Sequence, residues 1–279
     1  STPSMRNSLL AAALALASAA APAAESPEAG HSGQLRVAVY TEHAPFSDEG
    51  KGVDVEVGNA LAAKLGLPAE IIPFKDGESV DDDLRNIVWK GHYLWKGKLA
   101  DVMMHVPVDP DLARKNPQVR IVAPYFRERL VVARSKSRIP RLDTFEVFTR
   151  EKIGVQFNTI EDHYLLRSFA GILRDNVVHF LSVPDAAAAL RRGDVAAIMG
   201  RRGQIEAALA EGGGDFAVSE PSTPGLRPVA WDVGMAVKAD DPQLAARIEA
   251  AVLDLRMDGS IQRIFAKRGM TYAAPAPER

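Results

Sequence analysis

Several groups of side chains in this sequence are of a type and spacing that could do chemistry. The densest is VWKGHYLWKGKLADVMMHVPVD, Val88 to Asp109, which holds two of the three tryptophans, two of the six histidines and a tyrosine. His92, His105 and Asp109 are metal-ligating types, but they lack the HxH or HxxxH spacing that sets two imidazoles on one face, and no metal site is expected from them. Trp89, His92, Tyr93 and Trp95, with Lys90, Lys96 and Lys98 around them, have the make-up of an interface core inside a charged rim. The same residues also have a structural use, with Trp89 closing the core face of a helix and Tyr93 and Trp95 covering a long loop.

Three further groups carry charge or hydrogen-bonding capacity. The acids Asp76, Glu78, Asp81, Asp82 and Asp83 are oxygen donors of the kind hard cations take, though not at the spacing of a calcium loop. Their plainer role is to favour the start of a helix through its dipole. Asn158 and Thr159 fall where a strand turns into a helix, where they can hold an anion or simply cap the helix. Arg201, in the doublet GRRG, directly follows a buried strand, which places it at a cleft. No GxSxG elbow, HExxH pair or phosphate loop is present, and neither catalysis nor a cofactor is expected. The absence of cysteine excludes disulfides, thiol nucleophiles and cysteine metal sites.

The elements that position these residues alternate between β and α. LRVAVY (35–40) is a first strand, followed by a helix with Val53, Val57, Ala60, Leu61 and Leu65 on one face and Gly66 as its stop. AEIIPF is a strand, DDDLRNIVW a helix, and LADVMMHV a strand apolar enough to be covered on both faces. RLVVAR, KIGVQF, VVHFL, DVAAIMG and VGMAV are further strands. Helices are expected from Thr159 to about Arg174, from Pro184, from about Arg201 to Ala210, and along the stripe Leu244, Ile248, Val252 and Leu255. The pattern predicts an α/β fold with largely parallel sheets.

At 279 residues and 47% hydrophobic, the chain can bury a substantial core. A net charge of −2 gives no basis for binding nucleic acid. Arg6, the apolar run Leu9 to Ala21 and the small-residue site Ala21-Pro22-Ala23 read as a secretory signal over 1–23, too short and alanine-rich for a membrane anchor. Residues 24–33 read as a flexible leader, and the expected location is the periplasm, with no membrane insertion once the signal is removed.

The order of these pieces resembles the periplasmic solute-binding proteins that serve polar amino acid transporters. The segments that carry the likeness are LRVAVYTEHAPFSDEGKGVDVEVGNALAAKLG, LADVMM, APYFRERLVVAR, KIGVQFNTIEDHYLL, SVPDAAAALRRGDVAAIMG and VGMAVKADDPQLAARIEAAVLDLRMDGSIQRIFAKRG. The resemblance implies a two-lobed type II binding-protein fold, its lobes joined by two crossing strands. Lobe 1 would be 34–126 plus 233–275 and lobe 2 would be 127–232, with hinges near Tyr125 to Arg127 and Val229 to Asp232. Open α/β sheets bind ligands beyond the carboxyl ends of their strands. That places Tyr40, Glu42, Phe46, His105 and Pro107 of lobe 1, Arg127 at the crossing, and Asn158, Thr159 and Arg201 of lobe 2 as cleft candidates.

In amino acid binders of this family, a Thr-Pro-Glu-Arg type segment supplies an arginine for the α-carboxylate, and an acid after a GRVDAVVGD type segment takes the α-amino group. Here the first segment reads VPVDPDLARKN, with Arg114 at a changed spacing, and the second reads GDVAAIMGRRG, with Arg201 where the acid would stand. Arginine there repels an ammonium group, at a cost of order 2 to 5 kcal/mol in a cleft. An ordinary zwitterionic amino acid is therefore a poor expected ligand.

The stretch DDDLRNIVWKGHYLWKGKLADVMMHVPVD, in turn, resembles the periplasmic accessory proteins of quinoprotein methanol dehydrogenases, the XoxJ and MxaJ type. It is closest to those that accompany the lanthanide-dependent enzyme. This resemblance implies a monomer that binds the dehydrogenase and assists its maturation or activation. The competing expectation is a transporter receptor for a small anionic solute held by Arg201 and the helix start at Thr159.

Overall fold

The protein is described by a computed structural model covering residues 33–94 and 99–277. The signal segment, nearly all of the leader, and Trp95 with Lys96 to Lys98 lie outside the described residues. In chain order the strands are β1 (Leu35–Tyr40), β2 (Glu42–His43), β3 (Ser47–Asp48), β4 (Ala69–Phe74), β5 (Val102–Pro107), β6 (Val119–Ser135), β7 (Ile153–Gln156), β8 (Val177–Phe180), β9 (Ala197–Arg201), β10 (Phe216–Ser219) and β11 (Ala230–Lys238). The α-helices are α1 (Val53–Lys64), α2 (Val80–Asp83), α3 (Pro110–Lys115), α4 (Ile160–Arg167), α5 (Val183–Arg192), α6 (Arg202–Ala210), α7 (Pro242–Met257) and α8 (Ser260–Ala266).

The strands run in the order β4-β1-β5-β11-β6-β9-β7-β8, with β10 also on β6. β1 pairs in parallel with β4 and β5, and β7 in parallel with β8 and β9. The 17-residue β6 belongs to both halves. Its first part, with Val119 to Arg129, pairs with β11, and its last part, with Leu130 to Ser135, pairs with β9 and β10. β6 and β11 are thus the two strands that cross between an α/β lobe at each end. Trp231 on β11 packs against the cores of both lobes.

Each lobe is a sheet covered on both faces, so its inner strands are apolar throughout. In lobe 1, Leu35, Val37 and Val39 of β1 face α1, α7 and α8, while Ala38 faces Leu84 and Val88. In lobe 2, Val132 and Met199 face α4, and Val131 and Ile198 face α5 and α6.

Two strands break their alternation where they meet β11. Partners run from Gly234–Val106 to Ala236–Met103, so β5 carries one more residue than β11 over this interval. The extra residue is a β-bulge, and His105 sits in it at φ 63. On the other side β6 carries two extra residues between the partners of Val233 and Met235, with Ala123 at φ 52. Gly234 lies between the bulges, where a Cβ would stand 2.7 Å from the Val122 carbonyl oxygen. Only a glycine lets the three strands close up there.

Some segments depart from expectation. The helix predicted from DDDLRNIVW begins as α2 and continues with π-type hydrogen bonding from Leu84 to Trp89. The helix predicted from Thr159 to Arg174 stops at Arg167, because Ser168 is extended, and the chain goes on as short 3-10 turns. The Gly/Pro-rich segment after α6 contains β10, and Val119 to Glu128 extends the strand predicted at RLVVAR.

Candidate functional site

The cleft is built at the carboxyl ends of β1, β5, β7 and β9. One pocket of about 300 Å³ is lined by Tyr40, Glu42, His43, Asp76, Glu78, Asp83, His105 and Pro107 on the lobe 1 side and by Arg201 from lobe 2. A second, of about 530 Å³, lies between the Pro107 to Pro110 turn, Arg127, Trp231 and Asp232 on the crossing strands, and Ile160, Glu161 and Arg201. A third, of about 480 Å³, adds Glu42, His43 and Pro45 opposite Gln156, Ser182 and Gln204. Arg201 and Pro107 are common to the first two and Glu42 and His43 to the first and third, so the three form one continuous groove.

The groove gathers most of the expected cleft residues but not all of them. Tyr40 donates its hydroxyl to Asp83 Oδ2 at 2.9 Å, and burial followed by the Asp83 charge pushes its own pKa up. Glu42 is exposed and 3.7 Å from Lys75. Arg127 forms an ion pair with Asp232 at 2.8 Å. The Arg201 guanidinium lies 5.5 Å from the centre of the Trp231 ring, a cation–π contact that fixes it over the crossing strands. Phe46, by contrast, is fully buried. It stacks on Phe126 and meets Gly203 at the start of α6, so it seals the lobes together beneath the groove rather than lining it. Asn158 and Thr159 stay at the head of α4, where Thr159 Oγ1 accepts from Asp162 N–H and Asp162 accepts from Asn158 N–H. Of the first residues of that helix, Ile160 and Glu161 are the ones that reach the groove.

The charge of the groove is not uniform. The 300 Å³ pocket sets four carboxylates, Glu42, Asp76, Glu78 and Asp83, against Arg201 alone. Asp83 is held by Gly77 N–H and by Tyr40, yet burial still raises its pKa. The acidic run thus serves two ends, since Ser79 caps α2 through Asp82 N–H while Asp76, Glu78 and Asp83 face the pocket. Arg114, the candidate carboxylate clamp, is exposed on α3 and paired with Asp111. Neither half of the usual amino acid site is in place.

Beneath the pocket lies a buried network that sequence patterns did not foretell. Asp54, fully buried in the first turn of α1, is hydrogen-bonded through Oδ2 to His105 Nδ1 at 2.9 Å and through Oδ1 to the Tyr125 hydroxyl. The two bulges deliver His105 and Tyr125 to it. His43 lies beside His105, and burial followed by the His105 charge pushes its pKa down to about 3. A signal for this was present. His43 and His105 follow or end β1 and β5, and the ends of neighbouring parallel strands meet in space.

The aromatic stretch lies elsewhere. Ala100 N–H bonds to Ile87 O, while Arg36, at the start of β1, donates its guanidinium to Leu99 O and its backbone N–H to the Asp101 carboxylate. The loop after Trp89 therefore sits at the amino end of the lobe 1 strands, opposite the groove. Trp89 packs on the core there, His92 stacks on Tyr93, and Tyr93 and Leu94 are 84% and 72% exposed.

This architecture is that of the two-lobed solute-binding proteins. An ancestral cationic amino acid solute binding protein shares it with TM-score 0.67 at 20% identity, over 85% of this chain and 96% of that one. An amino acid ABC transporter substrate-binding protein from Streptococcus pneumoniae, bound to L-arginine, gives 0.58 at 18% over 86% and 96%. The GluR0 ligand binding core with L-glutamate gives 0.59 at 18% over 86% and 100%. At such identities the likeness establishes the fold. No family model and no curated protein matches the chain. No helix among the described residues is long and apolar enough to cross a membrane.

Proposed function

We propose that the chain acts in the periplasm as a monomeric accessory protein that binds a quinoprotein methanol dehydrogenase, of the lanthanide-dependent kind, and assists its maturation or activation. The partner is suggested by the resemblance of residues 81–109 to the XoxJ and MxaJ type. The docking surface we assign to the groove, and the observation that carries this is its apolar lobe 2 rim. Phe157 and Leu181, 62% and 86% exposed, flank the pocket residues Gln156 and Ser182, and Ile160 is half exposed beside them. Large exposed apolar side chains grouped at a cleft edge suit a protein segment better than a small polar solute. The lobes, 34–126 with 233–275 and 127–232, would close on that segment about Tyr125 to Arg127 and Val229 to Asp232.

A second reading, a receptor for a small solute, is favoured by Arg201, which opens onto two pockets. Four carboxylates line the smaller one, so an anionic group would have to sit in the larger. Interferometry of the chain against purified dehydrogenase separates the two. Binding that Phe157→Ser with Leu181→Ser weakens at least about tenfold supports the accessory role. No binding, together with a saturable thermal shift from a small organic acid, supports the receptor.

A further inference from the structure

His43, Asp54 and His105 each bring a possible ligand atom to one place, all within 4.8 Å of one another. They come from β2, the first turn of α1 and the bulge in β5, so the fold and not a local motif assembles them. His105 Nδ1 and Asp54 Oδ2 stand 2.9 Å apart. That is close to the edge of about 3.0 to 3.4 Å that metal–ligand bonds of roughly 2.0 to 2.1 Å imply for octahedral or tetrahedral coordination. The His43 ring is 4.5 Å from that of His105, centre to centre, and its Nδ1 is buried with no hydrogen-bond partner among the described residues. A buried polar nitrogen left unpaired calls for a ligand. The second oxygen of Asp54 is held by the Tyr125 hydroxyl, the kind of outer hydrogen bond that orients ligating carboxylates.

We propose that His43, Asp54 and His105 form a binding site for a divalent transition ion of the Zn²⁺ type, with its remaining coordination open to the 300 Å³ pocket. Two imidazoles and one carboxylate suit zinc and its neighbours, whereas calcium and magnesium take oxygen ligands. His43 and His105 both line the pocket, so the ion has a route in from solvent. Glu42, Asp76, Glu78 and Asp83 on the pocket wall give it a negative potential that concentrates cations. Arg201, across the groove, can pair with an anionic group that completes the coordination. The site goes beyond the accessory role and does not depend on it.

The test is calorimetric titration of the chelator-treated chain with Zn²⁺, with Co²⁺ as an optical probe of the ligand field. One saturable equivalent, a Co²⁺ visible spectrum with imidazole ligation, and a melting temperature that rises with Zn²⁺ concentration are expected. His43→Ala leaves the Asp54, His105 and Tyr125 bonds intact, so its metal-free melting temperature stays near that of the parent while its affinity falls by about tenfold or more. Asp54→Asn should lose affinity as well. Absence of a stoichiometric site, or Zn²⁺ affinity unchanged in folded His43→Ala, would overturn the proposal.

Discussion

The two ends of lobe 1 are built from one short sequence and do opposite things. Residues 88–109 begin at the amino end of the sheet, with Trp89 in the core and Tyr93 and Leu94 in solvent, and finish at the carboxyl end with His105 and Pro107 in the groove. The six residues of β5 separate the two by about 20 Å. At the far end, exposure comes from an ordinary loop whose side chains have few obligations. At the groove end, two bulges and a glycine force His105 and Tyr125 onto a buried carboxylate, and every member of that network depends on the others. A run that reads as one patch in sequence is therefore two surfaces, and only the groove end is built to fixed geometry.

The largest effect that tests this contrast is expected at Asp54. Asp54→Ala leaves the Tyr125 hydroxyl and His105 Nδ1 buried without their acceptor, and should cost about 3 to 5 kcal/mol in a urea unfolding curve. A loss below about 1 kcal/mol would mean that the network is loose and the two ends are alike. Trp89→Ala comes next. Half-buried on the core around Leu84, Val88 and Met103, Trp89 should lose roughly 2 to 3 kcal/mol, less than full burial would give, and with no change in partner binding. Reduced binding in the still-folded variant would move the interface to the far end.

Glu128 sharpens the comparison through pH. It is buried on β6 at the crossing, with Oε1 accepting from Arg129 N–H and Gly203 N–H and Oε2 unpartnered among the described residues. Burial raises its pKa above the usual 4.5, an effect only partly offset by those bonds and by the nearby His105 and Arg201 charges. A raised carboxyl pKa means that the folded state binds more protons than the unfolded one, so stability falls as pH rises from the usual value through the raised one. Glu128→Gln should abolish that fall, matching the parent in acid and exceeding it towards neutrality in thermal melts across pH. Parallel curves at all pH values would show that the groove-end carboxyl is not strained by burial.

How much of this was legible follows from which physics is local. The strand at 35–40, the helix at 53–64 and the apolar runs at 69–74 and 102–107 announce themselves by periodicity, because burial on one face or two dictates the pattern. The place of Arg201 at a strand end, and its opening onto the cleft, followed from the fold rule alone. Phe46 was misplaced because an aromatic in a loop after a strand looks the same whether it lines a cleft or plugs one. β10 was missed because its flanking glycines and prolines mask a four-residue strand. The Asp54 network was illegible for a deeper reason. It depends on a register slip in two strands, and a bulge leaves almost no mark on composition.

The smallest stability effect belongs to the far end, and there the two candidate docking surfaces are told apart most sharply. Tyr93 and Leu94 are almost wholly exposed, so changing both to serine should move stability by no more than about 0.5 kcal/mol. If the groove is the docking surface, this pair should also bind the dehydrogenase as the parent does, while Phe157→Ser with Leu181→Ser loses affinity at the same near-neutral cost in stability. The converse result, binding lost at Tyr93 and Leu94 and kept at the groove, would separate partner recognition from the cleft altogether. The groove, with its carboxylates, Arg201 and paired imidazoles, would then be free to hold a ligand of its own while lobe 1 holds the partner by its other end.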